Sequence, residues 1–236
     1  MPSHTLQAYD EELKFLATRI AQMGGHAERM VEEAVAALVN SDEALAQAVI
    51  RNDRVLDEAE REIDDKAVLI IARRQPMAID LREIIGAIRI SADLERVGDL
   101  GKNIAKRVAA AGQTRQPARL FRGIEALAEL ALTQLKDVLD AYGSRTIDRI
   151  GAVRDRDEEI DAKYTSLFRE LLTYMMEDPR NITACTHLLF CAKNIERIGD
   201  HATNVAETVH YIVTGSQLPA ERPKEDESHK VVVAGG

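Results

Sequence analysis

The chain has 236 residues, 45% of them apolar, 30% charged and only 4% aromatic, with no Trp; this is the balance of a globular protein with a sizeable core. A formal net charge of −9 argues against a nucleic-acid binder, because no basic excess is available to displace counterions, and fits cation binding or a basic protein partner. No apolar run reaches bilayer length, and the opening MPSHTLQAYDEEL lacks the charged and apolar regions of a secretory signal.

Ala, Leu, Ile, Glu and Arg dominate, which suits helices far better than strands. The first predicted helix carries the stripe Leu13, Leu16, Ile20, Met23, Ala27, Met30, Ala34 and Ala37. The stretch NSDEAL places a cap at Asn40 or Ser41. A second helix has Val49, Leu56, Ile63 and Ile70 one heptad apart, and ends in ARRQP, with Arg73 and Arg74 near its C-terminus and Pro76 as a stop. A third carries Leu81, Ile85, Ile88, Leu94, Val97, Ile104 and Val108, and AAGQTRQP follows as a linker.

The plan then repeats. Ile124, Leu127, Ala131, Val138 and Tyr142 mark a fourth helix. Val153, Ile160, Leu167 and Leu171 mark a fifth, ending at MMEDP, and Ile195, Ile198, Val205, Val209 and Ile212 a sixth. Laying ERVGDLGKNIAKRV (95–108) on ERIGDHATNVAETV (196–209), an offset of 101, matches Glu, Arg, Gly, Asp, Asn, Ala and Val. The expected fold is therefore all-α, two tandem antiparallel three-helix bundles over 5–112 and 117–215, followed by a polar, Pro-containing, disordered tail over 216–236. Cys185 and Cys191 read as reduced core thiols of a cytosolic protein.

The repeated Glu-Arg-x-Gly-Asp box is costly twice over. Glu95 and Asp99, like Glu196 and Asp200, lie four apart on one helix face, where like charges repel by about 0.2–0.5 kcal/mol. Gly98 and Gly199 each cost roughly 1 kcal/mol inside a helix relative to Ala. Helices two and five bring two more pairs, Asp53 with Asp57 and Asp157 with Asp161. With Pro76 as the turn, Asp57 lies 19 residues before it and Glu95 19 after, while Asp53 lies 23 before and Asp99 23 after. Around Pro179 the corresponding separations are 18 and 17 for Asp161 and Glu196, and 22 and 21 for Asp157 and Asp200.

Antiparallel packing thus sets four carboxylates at one height in each bundle. Such a patch calls for a cation, and oxygen-only ligation suits hard divalent or trivalent ions, Mg, Mn or Fe foremost, with Ca also admissible. The Glu-x-x-His signature of di-iron bundles is missing, and His201 points about 100° away from Asp200. Asn103 and Asn204 extend the same face, either as outer ligands or as hydrogen-bond partners across the bundle. His187 and His210 read as surface or packing residues. Close helix packing is a second reason for the two glycines, compatible with the first.

The segments ARRQPMAIDLREI, DLERVGDLGKNIA and NIERIGDHATNVAE, in two copies of a three-helix plan, resemble the PhoU family, over nearly all of residues 10–213. The resemblance implies two symmetric bundles with multinuclear metal clusters on E(D)xxxD pairs, which here are Asp53/Asp57 with Glu95/Asp99 and Asp157/Asp161 with Glu196/Asp200. It implies a cytoplasmic negative regulator of phosphate uptake, not an enzyme, that links the ATPase component of a phosphate ABC transporter to a membrane sensor histidine kinase. Such a protein is expected to form a homo-oligomer, a dimer for instance, and to meet the membrane only through its partners. One departure is that Asp80–Arg82 (DLR) has no counterpart at NIT in the second repeat. A metal-dependent phosphoester hydrolase is the alternative, but no activated Ser, Cys or His stands beside the carboxylates.

Overall fold

The structure, a computed structural model, describes residues 2–111 and 118–218. These are helical almost throughout, and among them no strand occurs. The chain order is α1 (Pro2–Asn40), α2 (Glu43–Asn52), α3 (Arg54–Arg74), α4 (Ile79–Ala105), α5 (Val108–Ala111), α6 (Ala118–Ser144), α7 (Ile150–Glu177), a 3₁₀ turn at Pro179–Asn181, and α8 (Ile182–Thr214). The expected three-plus-three plan holds, with the second helix divided into α2 and α3. Most of the expected linker, 112–117, and residues 219–236 of the expected tail lie outside the described residues.

α1 buries the stripe read from the sequence, from Leu16 to Ala37, and Leu13 packs against its edge. At 39 residues it is about 58 Å long and starts well before that stripe. Its end differs from the expected cap. Ser41 adopts a left-handed φ of 53°, Asn40 donates its side-chain amide back to the Ala36 carbonyl, and Asp42 caps α2 by accepting from the Leu45 backbone N–H at 2.9 Å. All three residues are good capping types; once Ser41 makes the turn, Asp42 is the one standing before the first helical turn.

The second helix breaks at Asp53, whose φ of −52° and ψ of −42° remain helical, so the break is a kink and not a loop. α3 ends on Gln75 in the left-handed region, its N–H bonded to the Ile71 carbonyl, just before Pro76. In α4 the stripe is shifted at the start. Ile84, Ala87 and Ile90 are fully buried, whereas Leu81 is exposed and Ile85 and Ile88 only half-buried. α4 is packed by α1, α3 and α8, so its inward surface is broader than one stripe, and the clustered isoleucines allow two readings. The third helix also stops at Ala105 and resumes as α5, where Arg107 leaves the axis to lie over the Phe190 ring of α8 at 4.2 Å. α8 runs unbroken for 33 residues and closes on Gly215 at φ 77°.

The two repeats do not stand apart. α4 lies along α8 and α1 along α6, with α1 also on α4 and α6 on α8, so these four helices form a ring that α3 and α7 flank. One continuous apolar core runs through both repeats, from Leu16 to Ile212. Cys185 and Cys191 are buried within it and form no disulfide.

Candidate functional site

Each box sits where α3 meets α4, or α7 meets α8, at the point of close approach. A Cβ on Gly98 would run into Leu56 of α3, and one on Gly199 would lie 3.0 Å from Ile160 Cδ1 of α7 and 3.1 Å from Gln134 Oε1 of α6. The glycines therefore remove side chains at the level where the carboxylates face each other.

In the first repeat the height matching read from Pro76 holds. Lys102 of α4 reaches Asp53 Oδ2 and Asp99 Oδ1, each at 2.5 Å, and so joins the two helices through one ammonium. Burial pulls the Lys102 pKa down, but the hydrogen bonds and charges of Asp53 and Asp99 outweigh it and hold it above the ordinary lysine value. Burial raises the Glu95 carboxyl, and the charges of Asp99, Glu60 and Asp57 raise it further against the pull of Arg96. Arg96 lies 3.4 Å from both Glu95 and Asp99. Four anticipated residues thus share one neighbourhood, and Glu60, one turn from Asp57, joins them.

The second repeat is built differently. Asp161 and Glu196 are buried, at 8% and 4% exposure, and Asp157 and Asp200 half-buried. Burial drives the Glu196 carboxyl up to about 7; Lys193 opposes this, while Asp200 and Asp161 add to it. Glu196 Oε1 accepts from Lys193 at 2.9 Å, and its Oε2 is buried without a hydrogen-bond partner. Gln134 Oε1 and Thr165 Oγ1 are unsatisfied in the same way, and Thr165 lies one turn along α7 from Asp161. Asp157 Oδ1 accepts from the Thr203 hydroxyl at 3.0 Å and weakly from Gln134 Nε2 at 3.5 Å.

Among the described residues, no three His, Cys, Asp or Glu side chains converge as they stand on a point that would hold a metal ion. The donor chemistry still suits a hard cation. The facing groups are carboxylates and neutral oxygens, and the second box carries orphaned buried oxygens of the kind a cation would satisfy. The first box already holds a cation, the Lys102 ammonium.

Several participants escaped the sequence reading. Lys102 stands opposite Thr203 when 95–108 is laid on 196–209, and that exchange is the available signal. Gln134, a polar residue on an otherwise apolar stripe where the first repeat has Met30, was another. His201 turns away from Asp200 and lies 2.9 Å from Asp93 of α4. Asn204 donates to the same Asp93 oxygen at 3.2 Å, which resolves its two readings in favour of a bond across the helices. His187 meets Arg107 at 3.2 Å.

Fold and boxes together define a class: all-helical proteins made of two tandem three-helix repeats, each with facing acidic pairs. The PhoU domain family matches residues 20–108 and again 124–209, and the chain belongs to the PhoU family. It is 68% identical over 224 residues to the phosphate-specific transport system accessory protein PhoU homolog of Rhizobium meliloti (strain 1021), covering 95% of this chain and 94% of that one. It is 51% identical over 226 residues to the homolog of the same description from Caulobacter vibrioides (strain NA1000 / CB15N), covering 96% and 98%. The crystal structure of PhoU from Pseudomonas aeruginosa superposes with a TM-score of 0.82 at 37% identity, covering 88% of this chain and all of that one. The phosphate transport system regulatory protein PhoU from Streptococcus pneumoniae superposes equally well, TM-score 0.82, at 26% identity and over 89% and 99%. Among the described residues no helix is long and apolar enough to cross a membrane.

Proposed function

We propose that this protein is an accessory regulator of phosphate uptake, acting as a negative regulator of the phosphate-starvation response. The observation that carries this is full-length similarity, at 68% and 51% identity, to proteins named as accessory to the phosphate-specific transport system. In this reading it works in the cytoplasm by binding, not catalysis, as an adapter between the ATPase component of a phosphate ABC transporter and a sensor histidine kinase, and it forms a homo-oligomer.

Two unlike grooves on opposite edges of the four-helix ring support an adapter. The α1–α6 groove is rimmed by Glu28, Glu32, Glu125 and Glu129 over an apolar floor that includes Val35 and Leu132. The α4–α8 groove mixes Arg89 and Arg96 with Asp93 and Glu207, and Arg89 lies over the Tyr211 ring. Both are carried on long, mutually packed helices, so a partner bound at one is held at a fixed distance from the other. Asp53, Asp57, Glu95 and Asp99, and Asp157, Asp161, Glu196 and Asp200, are the residues that hold metal in this reading. A bound Mg, Mn or Fe ion supplies positive charge that offsets carboxylate repulsion and ties α3 to α4 and α7 to α8.

The test is a deletion strain carrying a phosphate-responsive reporter, with the intact gene restored as control. The reporter is expected to stay on in high phosphate and to switch off on complementation. A reporter that remains off in the deletion strain overturns negative regulation.

A further inference from the structure

We propose that the groove between α1 and α6 is the docking site for a basic amphipathic helix of a partner protein. This rests on the adapter reading above in taking the occupant to be another protein, and adds which surface receives it and what chemistry it must present.

The groove extends well beyond its acidic part. Past the hollow of about 410 Å³ rimmed by Glu28, Glu32, Glu125 and Glu129, a second hollow of about 530 Å³ follows the same seam along Ala17, Ala21 and Gly25 of α1 and Leu139 and Gly143 of α6. Glu28 and Lys136 line both, so the two make one trough. It runs from Val35 to Ala17 on α1 and from Glu125 to Gly143 on α6, about 27 Å along two antiparallel helices, the length of a five-turn helix. Its floor is apolar, with Val35 and Ala128 buried and Leu132 and Leu139 half-buried. A straight trough between two helices is the shape into which a third helix packs, its apolar stripe on the floor.

Gly25 keeps space that the described residues do not use. A glycine inside a helix is unfavourable relative to alanine, and its neighbour Gly24 has a packing reason for it, because a Cβ there would meet Leu139 Cδ1 at 2.6 Å. A Cβ on Gly25 would meet nothing within 4 Å. Gly25 lines the trough, and the missing side chain lets a foreign backbone come close.

Charge selects the occupant. Five carboxylates line the trough, those of Glu28, Glu32, Glu125, Glu129 and Asp140, against Lys136 and Arg145. Arg145 is itself held by Glu83 at 3.4 Å. Burial, and then the charge of Glu32, raise the Glu28 carboxyl; Lys136 and Arg29 oppose this and Asp140 adds to it, so the rim favours further positive charge. A helix with Lys or Arg on either side of an apolar stripe reaches both rims while the stripe covers the floor. A second copy of this chain docked through the same face would set the acidic rim against itself, and the phosphates of a nucleic acid or a lipid surface would meet it with like charge.

The probe is a fluorescein-labelled peptide of about 20 residues, Leu and Lys only, with leucines at helical spacing on one face. It is titrated with the full-length chain in about 0.15 M salt and read by fluorescence anisotropy, beside a scrambled peptide of the same composition and a Leu/Glu counterpart. The Leu/Lys helix is expected to bind at least about tenfold more tightly than either. Gly25→Leu, which extends a side chain into the open space, is expected to weaken it at least about tenfold, and so is the exposed pair Glu32→Gln with Glu129→Gln, with helicity unchanged by circular dichroism. Gly25→Ala, too small to fill the trough, should keep most of the affinity. Should Gly25→Leu lose helicity, the glutamate pair carries the test. No binding, equal binding of the scrambled peptide, preference for the Leu/Glu helix, or variants that bind as the wild type does would each overturn the proposal. So would a wild-type oligomer that Gly25→Leu dissociates in sedimentation, since the trough would then belong to a second copy. All of these results leave the regulation of phosphate uptake standing; the reporter strain decides that reading, and a reporter that stays off overturns it without altering the peptide result.

Discussion

His201 Nδ1 on α8 lies 2.9 Å from Asp93 Oδ1 on α4, and Asn204, one turn further along α8, donates to the same oxygen at 3.2 Å. Asp93 belongs to the first repeat and both partners to the second, so this single carboxylate oxygen is a polar fastening between the halves of the chain. It sits within the α4–α8 seam, where Arg89 of α4 also lies over the Tyr211 ring of α8.

Asp93→Ala should therefore destabilise the protein by about 1–3 kcal/mol, the range for leaving partly buried polar partners unpaired. The loss should couple to His201→Ala: in a double-mutant cycle by urea denaturation, the two should be non-additive by at least about 0.5 kcal/mol. Additive losses would mean that the pair does not act as a unit.

Gly98→Ala offers a contest between two effects of known sign. Removing a mid-helix glycine favours α4 by about 1 kcal/mol, whereas a methyl group driven against the buried Leu56 costs typically 1–3 kcal/mol. We expect overpacking to win, because Leu56 is 1% exposed and enclosed by the core. In a Leu56→Ala background the same substitution should become stabilising, and that change of sign is the measurement to make.

Cys191 is a further test of the core. Burial pushes its thiol up to about 12 against the opposing charge of Arg107, and burial raises Cys185 as well. At pH 8 a thiol of that pKa is ionised to only about one part in 10⁴, and the thiolate is the nucleophile. Iodoacetamide should leave both cysteines unmodified in the folded chain and alkylate both in urea, as read by intact mass.

Glu12 ties the end of α3 back to α1, accepting from Arg74 at 2.9 Å and Lys66 at 3.4 Å. The hydrogen bond from Arg74, more than burial can offset, holds its carboxyl below the ordinary value of 4.5. A depressed folded-state pKa contributes stability that is present above 4.5 and fades as pH falls through the lower folded value. Glu12→Gln should lower the melting temperature modestly at pH 7, and the difference from wild type should shrink on acidification below that point. A gap that widens in acid would contradict the assignment.

Much of this was legible because helices advertise their inward face. The stripes of α1, α6, α7 and α8 read correctly, since the residues named for them from Leu16 onward are all buried. Proline turns gave the hairpin heights, so the facing of Asp53 with Asp99 and of Asp57 with Glu95 followed from counting. The start of α4 did not read, because Ile84, Ile85, Ile88 and Ile90 fit more than one phase. Asp53 read as a potential ligand but not as a kink, since its dihedrals stay helical and no Gly or Pro marks it. Lys102 was hidden by its charge: a lysine three residues from an aspartate on a helix usually reads as a solvated pair, and only the third partner, on another helix, changes its meaning.

The core that runs unbroken from Leu16 to Ile212 bears on what half of this chain would be. A fragment ending at Ala111 would keep α1, α3 and α4 but leave bare the sides of α1 and α4 that α6 and α8 cover. Because the missing half follows the same plan, the surface that best fits those bare sides is that of a second fragment turned end for end. A lone repeat thus exposes an apolar seam that the intact chain covers with its own second copy of the plan, one side carrying Lys102 and the other Thr203.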